Sequence, residues 1–343
     1  MAAGLGGGNM SGTASAPSSV RNLVTVLSRP AGSPPLRSST PVVPNVLRVA
    51  DLDARQFTAL LDLAAAMKRH PLAWRSALEG RSVACYFAKR STRARVSFEA
   101  AINRLGGLPI MLRPDELQLG RGEPIADTAR VLSSYCEAIV IRTFAQRDVR
   151  ELAEYSSVPV INALTDDHHP CQALADCLTL REHFGTLDGL TLAYVGDGNN
   201  VAHSLIEAAH LTGMNLRLAT PPACLPDPSI LAAAGRSVRM LDTPDEAVAG
   251  AHAVYTDVWV SMGKEAGGEA HKTQLEGYRV TPERMALACS DAVFLHCLPA
   301  HRGEEVDSAV IDGPASLVWR QAANRLPTEQ ALLSALVTGD WEV

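Results

Sequence analysis

A chain of 343 residues, 47% hydrophobic and 20% charged, is long enough for two ordinary domains with real cores, which excludes a disordered polymer and a disulfide-stapled miniature. A formal net charge of -6 and a pI near 5.9 leave no broad basic surface for nucleic acid or an anionic membrane, so phosphate binding must rest on a few placed arginines. Seven cysteines without a C-x-x-C pair read as reduced thiols, and no apolar run reaches the roughly 18 residues of a membrane helix.

Residues 1–43 are rich in Gly, Ala, Ser and Pro, carry Arg21, Arg29 and Arg37, and contain no acidic residue. They read as a disordered or dispensable extension, with an organellar transit peptide as the alternative and a cytoplasmic protein as the expectation otherwise. The folded chain is expected to begin near Asp51, where Phe57, Leu60, Leu61, Leu63 and Met67 recur at helical spacing over residues 51–68. Ser82–Phe87 reads as a buried strand, and Ser91-Thr92 open a helical pattern through Leu105. Further strands are predicted at 138–142, 158–161, 192–195, 216–219, 253–257 and 292–296, with helices at 171–183 and 202–212. This alternation predicts an α/β fold of two doubly wound domains with parallel sheets, with Gly185–Gly189 as a hinge.

Five motifs lie where such a fold places chemistry, at strand ends and helix starts. Ser91-Thr92-Arg93-Ala94-Arg95 combines hydroxyls, arginines and a helix N-terminus, an anion site by its parts; the plain alternative is an N-cap followed by solvated arginines. His168-His169-Pro170-Cys171-Gln172 lacks the three or four converging ligands of a metal site, so His169 and Gln172 read as donors to a polar ligand. Gly196-Asp197-Gly198-Asn199-Asn200-Val201 imitates G-x-G-x-x-G, but Val201 stands where the third glycine belongs, which argues against a dinucleotide. Asp257-Val258-Trp259-Val260-Ser261-Met262-Gly263 and His296-Cys297-Leu298-Pro299 follow predicted strands; Cys297 is either a nucleophile or a plain buried thiol.

In this order and spacing, S-T-R-x-R, H-P-C-Q, D-G-N-N, D-x-x-x-S-M-G and H-C-L-P resemble the ornithine carbamoyltransferases of the aspartate/ornithine transcarbamoylase superfamily, from about residue 45 onward. The resemblance implies a carbamoyl phosphate-binding domain at 44–185 and an ornithine-binding domain at 186–318. A C-terminal helix at 319–343 would pack back on the first domain, and the active site would lie in the cleft between the two. Carbamoyl phosphate would be held by Ser91, Thr92, Arg93, Ala94, Arg142, His169, Gln172, Cys297, the Leu298 carbonyl and Arg325. L-ornithine would be held by Asn200, Asp257, Ser261 and Met262. The catalytic set would be Arg142, His169, Asp257 and Cys297, with neither metal nor cofactor, in a homotrimer. The implied reaction transfers the carbamoyl group to the δ-amine of ornithine, giving citrulline for arginine synthesis. Two alternatives stand beside it, a paralogue acting on another diamine or diamino acid and a catalytically silent homologue.

Two positions depart from the family pattern. Ala94 replaces the second threonine of S-T-R-T-R and removes a hydroxyl donor to phosphate, while Ala88 stands where a glutamate is usual, which would make the field near Lys89 more positive.

Overall fold

The computed structural model describes residues 44–119, 122–260 and 268–342. The extension read at 1–43, and Ser261 and Met262, lie outside the described residues.

Two parallel sheets carry the molecule. The first comprises β1 (Ser82–Phe87), β2 (Leu108–Leu112), β3 (Ala138–Arg142) and β4 (Val160–Leu164), in the order β2-β1-β3-β4. The second comprises β5 (Thr191–Val195), β6 (Asn215–Ala219), β7 (Val238–Met240), β8 (Ala253–Thr256) and β9 (Val293–His296), in the order β7-β6-β5-β8-β9. The central strands β1, β3, β5 and β8 are almost wholly buried and read as continuous apolar runs, because helices cover both faces of a parallel sheet. The α/β class and the two doubly wound sheets agree with the reading of the sequence.

Strand order reverses beside β1 in the first sheet and beside β5 in the second. An open α/β sheet forms its ligand crevice outside the carboxyl ends of the strands at such a point, because the following chain segments diverge to opposite faces. In the first sheet those ends lead into the Lys89–Ala94 segment and Arg142. In the second they lead into the Gly196–Asn200 segment, Asp257 and Cys297.

The main helices follow the same logic. Helix α1 (Ala54–Arg69) starts on a reciprocal capping box, in which Asp53 accepts from Gln56 N and Gln56 accepts from Asp53 N. Helices α2 (Arg93–Arg104), α3 (Ile125–Ser133) and α4 (Gln146–Tyr155) flank the first sheet. Helix α5 (Pro170–Phe184) is buried continuously from Pro170 to Leu180, as expected of a helix enclosed on every side, and ends at Gly185, whose left-handed conformation (φ 82) closes it. Helix α6 (Asn200–Thr212) follows β5. The C-terminal helix Val318–Thr338 begins beside β9 and then packs on α1, α2 and α5, burying Leu332, Leu333, Ala335 and Leu336.

Differences from the sequence reading have local causes. The strand expected at 158–161 runs from Val160 to Leu164, because Pro159 has no N–H to give to a ladder. The edge strand β2 was not anticipated; it contains Pro109 and is only half-buried. Helices α3 and α4 were also missed.

Candidate active site

A single cleft collects the ends of both sheets, and Ser91, Arg93, Ala94, Arg142, His169 and Gln172 line its first-sheet side. Arg93 is the first residue of α2, whose initial N–H groups have no intrahelical partner and carry the positive end of the helix dipole. Thr92, just before it, makes no side-chain capping bond and does not line the cleft. Ala94 does line it and is buried, so the missing hydroxyl is missing from the cleft wall itself.

Three guanidinium groups converge here. Arg93 Nη2 donates to the Leu298 carbonyl at 2.5 Å, across the cleft from α2. Arg142, at the end of β3, is buried, and its Nε has no hydrogen-bond partner among the described residues. Arg325 comes from the C-terminal helix and donates through Nη1 to Gln172 Oε1 (2.9 Å) and through Nε and Nη2 to Glu329 Oε1 (3.0 and 2.6 Å). Burial, followed by the charges of Arg325 and Arg93, lowers the pKa of Arg142 to about 10. Burial likewise lowers that of Arg93. Cations held this close while partly desolvated favour an anion of more than one charge between them.

Lys89 was expected to sit in a more positive field for want of a glutamate at 88. The structure tempers this, because Lys89 is buried in an ion pair with Asp166 and lies 4.5 Å from the centroid of the Phe144 ring.

His169 is the N-cap residue of α5, with Pro170 pre-set for the first turn and its own N–H donating to Ser204 Oγ at 2.8 Å. Burial, then the charges of Arg325, Arg142 and Arg93, holds its imidazole well below the usual histidine range. It is therefore a neutral imidazole at neutral pH. His168 points elsewhere: its Nδ1 lies 4.0 Å from Glu207, its ring stands 6.1 Å from that of His203, and burial lowers it to about 3. The two adjacent histidines do not converge on one point.

The second-sheet wall centres on Asp257. Its Oδ1 accepts from Cys297 Sγ and Val258 N (2.8 Å each), and its Oδ2 accepts from Asn199 Nδ2 at 2.7 Å. Asn199 is also the N-cap of α6, with Oδ1 accepting from Val201 N (2.9 Å) and Ala202 N (3.2 Å). Asn200 lines the cleft while its Nδ2 donates to the Thr165 carbonyl at 2.6 Å, which leaves its Oδ1 as an acceptor. Burial and then the Asp257 charge push the Cys297 thiol well above its usual range, so the nucleophile read as one alternative is a protonated thiol here. Leu298 sits in the left-handed region (φ 60), donates its N–H to His296 Nδ1 at 2.8 Å and turns its carbonyl toward Arg93.

Asp257, His296 and Cys297 bring ligand-type atoms close together. Both nitrogens of His296 are engaged, however, Nδ1 with Leu298 N and Nε2 with Glu305 Oε1 at 3.2 Å. That leaves Asp257 and Cys297, themselves hydrogen-bonded to each other, short of the three protein ligands of a catalytic zinc site.

The cleft thus gathers Ser91, Arg93, Ala94, Arg142, His169, Gln172, Asn200, Asp257, Cys297, Leu298 and Arg325, all singled out by sequence. Sequence reasoning gave no role to Lys89, Asp166 and Val258 on its walls, or to Asp176 and Glu329 behind them. Asn199 reads in the sequence, with Asn200, as a pair that hydrogen-bonds a small polar ligand; the structure adds its capping of α6 and its bond to Asp257.

Residues 45–182 match the family model for the aspartate/ornithine carbamoyltransferase, carbamoyl-P binding domain, and residues 188–336 match that for the Asp/Orn binding domain. The chain is 50% identical over 304 residues to an ornithine carbamoyltransferase of Gloeobacter violaceus, spanning 86% of this chain and 96% of the relative. It is 52% identical over 267 residues to one from Symbiobacterium thermophilum, spanning 76% and 86%. The fold is similar to the solved ornithine carbamoyltransferase from Pyrococcus furiosus, with TM-score 0.81 and 46% identity over 87% of this chain and 97% of that one. It is also similar to the one from Thermus thermophilus, with TM-score 0.80 and 42% identity over 86% and 99%.

Proposed function

The chain belongs to the aspartate/ornithine carbamoyltransferase family and is a carbamoyltransferase of its ornithine branch, and from that premise we propose how the cleft performs the transfer from carbamoyl phosphate to the δ-amine of L-ornithine. Carbamoyl phosphate lies on residues 44–185, its phosphate on Ser91, Arg93 and the N–H groups that open α2. Arg142 and the neutral His169 face the carbonyl oxygen, and Gln172 and the Leu298 carbonyl face the NH2 group. Leu298 O already accepts one bond from Arg93, and its second lone pair serves the substrate. Ornithine lies on residues 186–318, with Asn200 and the Ser261–Met262 segment for its α-substituents and Asp257 with Cys297 beside the δ-amine.

The amine must be neutral to attack. As its N–C bond forms, negative charge develops on the carbonyl oxygen; the C–O bond to phosphate then breaks, and phosphate leaves with the proton shed by the amine. Fixed donors at that oxygen cost no reorganisation at the moment of reaction, and holding both substrates removes much of the entropic barrier. Neutral His169 suits the role, since a donor that keeps its proton stabilises the oxyanion without a transfer step.

The convergence of Arg93, Arg142 and Arg325 on one cleft, opposite the Asp257–Cys297 pair, is the observation that carries this reading. Its test is steady-state formation of a ureido product from carbamoyl phosphate with ornithine, lysine, 2,4-diaminobutyrate, 2,3-diaminopropionate and putrescine. A clear preference for ornithine is expected. Preference for another amine would make the protein a specialised paralogue, and no product with any of the five would overturn the enzymatic reading. We further propose a cytoplasmic homotrimer, supported by the family resemblance and checked by light scattering on the eluting peak.

A further inference from the structure

We propose that Asp176 is a positioning residue that fixes the side-chain amide of Gln172 with its carbonyl oxygen toward the cleft, and so selects the NH2 group of carbamoyl phosphate over a methyl group in its place. This deepens the reading of the cleft as a carbamoyl phosphate site and rests on it. The two ends of a glutamine amide have nearly the same shape, so only their partners decide which end the substrate meets.

Those partners are unambiguous around Gln172. Asp176, fully buried one turn further along α5, accepts from Gln172 Nε2 at 2.8 Å through Oδ1. The same oxygen accepts from Gln321 Nε2 at 2.6 Å. The orientation of Gln321 is itself settled, because its Oε1 accepts at 3.0 Å from the main-chain N–H of His296, a group that can only donate. Its NH2 must therefore face Asp176 and the Tyr255 hydroxyl, 3.1 Å away. At the other end of Gln172, Oε1 accepts from Arg325 Nη1 at 2.9 Å, and a guanidinium has no acceptor atom to offer. A flipped Gln172 would set its oxygen against the Asp176 Oδ1 that already accepts from Gln321, and its NH2 against a guanidinium, two repulsive contacts in a buried place.

The oriented Oε1 spends one lone pair on Arg325 and keeps one for the cleft. It rewards a ligand that donates there and gains nothing from a methyl group. Asp176 touches no substrate; it acts through Gln172.

Carbamoyl phosphate and acetyl phosphate differ in this one group, so their dissociation constants, measured by calorimetry on the full chain, read the effect directly. Wild type should prefer carbamoyl phosphate. Asp176→Asn keeps an acceptor oxygen and should preserve the preference within about twofold, whereas Asp176→Leu should cut it about tenfold, chiefly by loosening carbamoyl phosphate. An unchanged preference in Asp176→Leu would overturn the proposal, as would parallel weakening of both ligands, the mark of a purely structural role. Loss of the preference in Asp176→Asn would overturn it too, by showing that charge and not orientation matters. If Asp176→Leu does not fold, Asp176→Ala replaces it. Water admitted there both donates and accepts, so it enforces no orientation, and the same loss of preference is expected. Failure of the wild type to bind carbamoyl phosphate or make a ureido product would instead remove the reading of the cleft, and this inference with it.

Discussion

Ala94 lies in the cleft wall at one of the two positions where the sequence departs from the motif it resembles. Buried in the wall beside Arg93, it offers a main-chain N–H but no hydroxyl. Ala94→Thr should restore a hydrogen bond to a charged ligand, worth roughly 1.5–3 kcal/mol, and tighten carbamoyl phosphate by about tenfold or more. Calorimetry on the variant checks this, and equal affinity would show that the arginines already saturate the phosphate. Cys297 gives a second prediction at this scale. Its protonated thiol donates to Asp257; on the proposed reading it forms no covalent intermediate, and Cys297→Ala should lose roughly tenfold in kcat yet remain active. Complete loss, or a carbamoyl adduct of the wild type in intact-mass spectra, would contradict that role. Such residues are legible in the sequence because each sits at a strand end or helix start, where local pattern signals position. The Lys89–Asp166 pair spans 77 positions and Arg325–Gln172 spans 153, and no local pattern announces partners that only the fold brings together.

Elements were readable to the degree that their periodicity was undisturbed. The central strands β1, β3, β5 and β8 and the edge strand β9 are short apolar runs bounded by turns, and the pattern places each within a residue or two. Proline disturbed β2 and the start of β4. Helices α3 and α4 lie on the first sheet with one face exposed and carry several charged residues, so their apolar stripe is narrow. The capping box of α1 allows a quantitative check. Asp53→Ala removes an acceptor from the first turn and should cost about 1 kcal/mol, a fall of about 1–2 °C in Tm by calorimetry. Asp53 is exposed and remote from the cleft, so kcat should not change.

At the scale of the whole molecule, buried ionisable groups set how stability depends on pH. The folded pKa of His168 is about 3, far below the usual 6.5, so between those values the unfolded chain binds a proton that the native one does not. Stability from this group is present above pH 6.5 and is lost as the pH falls through that window, by up to about 1.4 kcal/mol per unit. Asp176 acts in the opposite sense. Burial raises its carboxyl from 3.8 to about 7, so the native state holds the extra proton between those values and stability falls as pH rises there. The two slopes oppose each other between pH 4 and 6.5. His168→Asn should expose the acidic contribution, leaving a variant whose urea midpoint rises on acidification more than that of wild type. An identical pH profile would show that His168 titrates normally.

The C-terminal helix starts against the second sheet and finishes against the first, carrying Arg325 into the cleft on its way. Its residues leave the ribosome only after both sheets have been made. Until then α1, α2 and α5 have exposed the apolar faces that this helix covers, and the cleft lacks one of its three guanidinium groups. The first domain can thus assemble its strands early in synthesis but cannot complete its core until the second domain has been translated. A nascent chain interrupted between residues 300 and 318 would hold two recognisable sheets and no finished site, a natural substrate for chaperones and proteases.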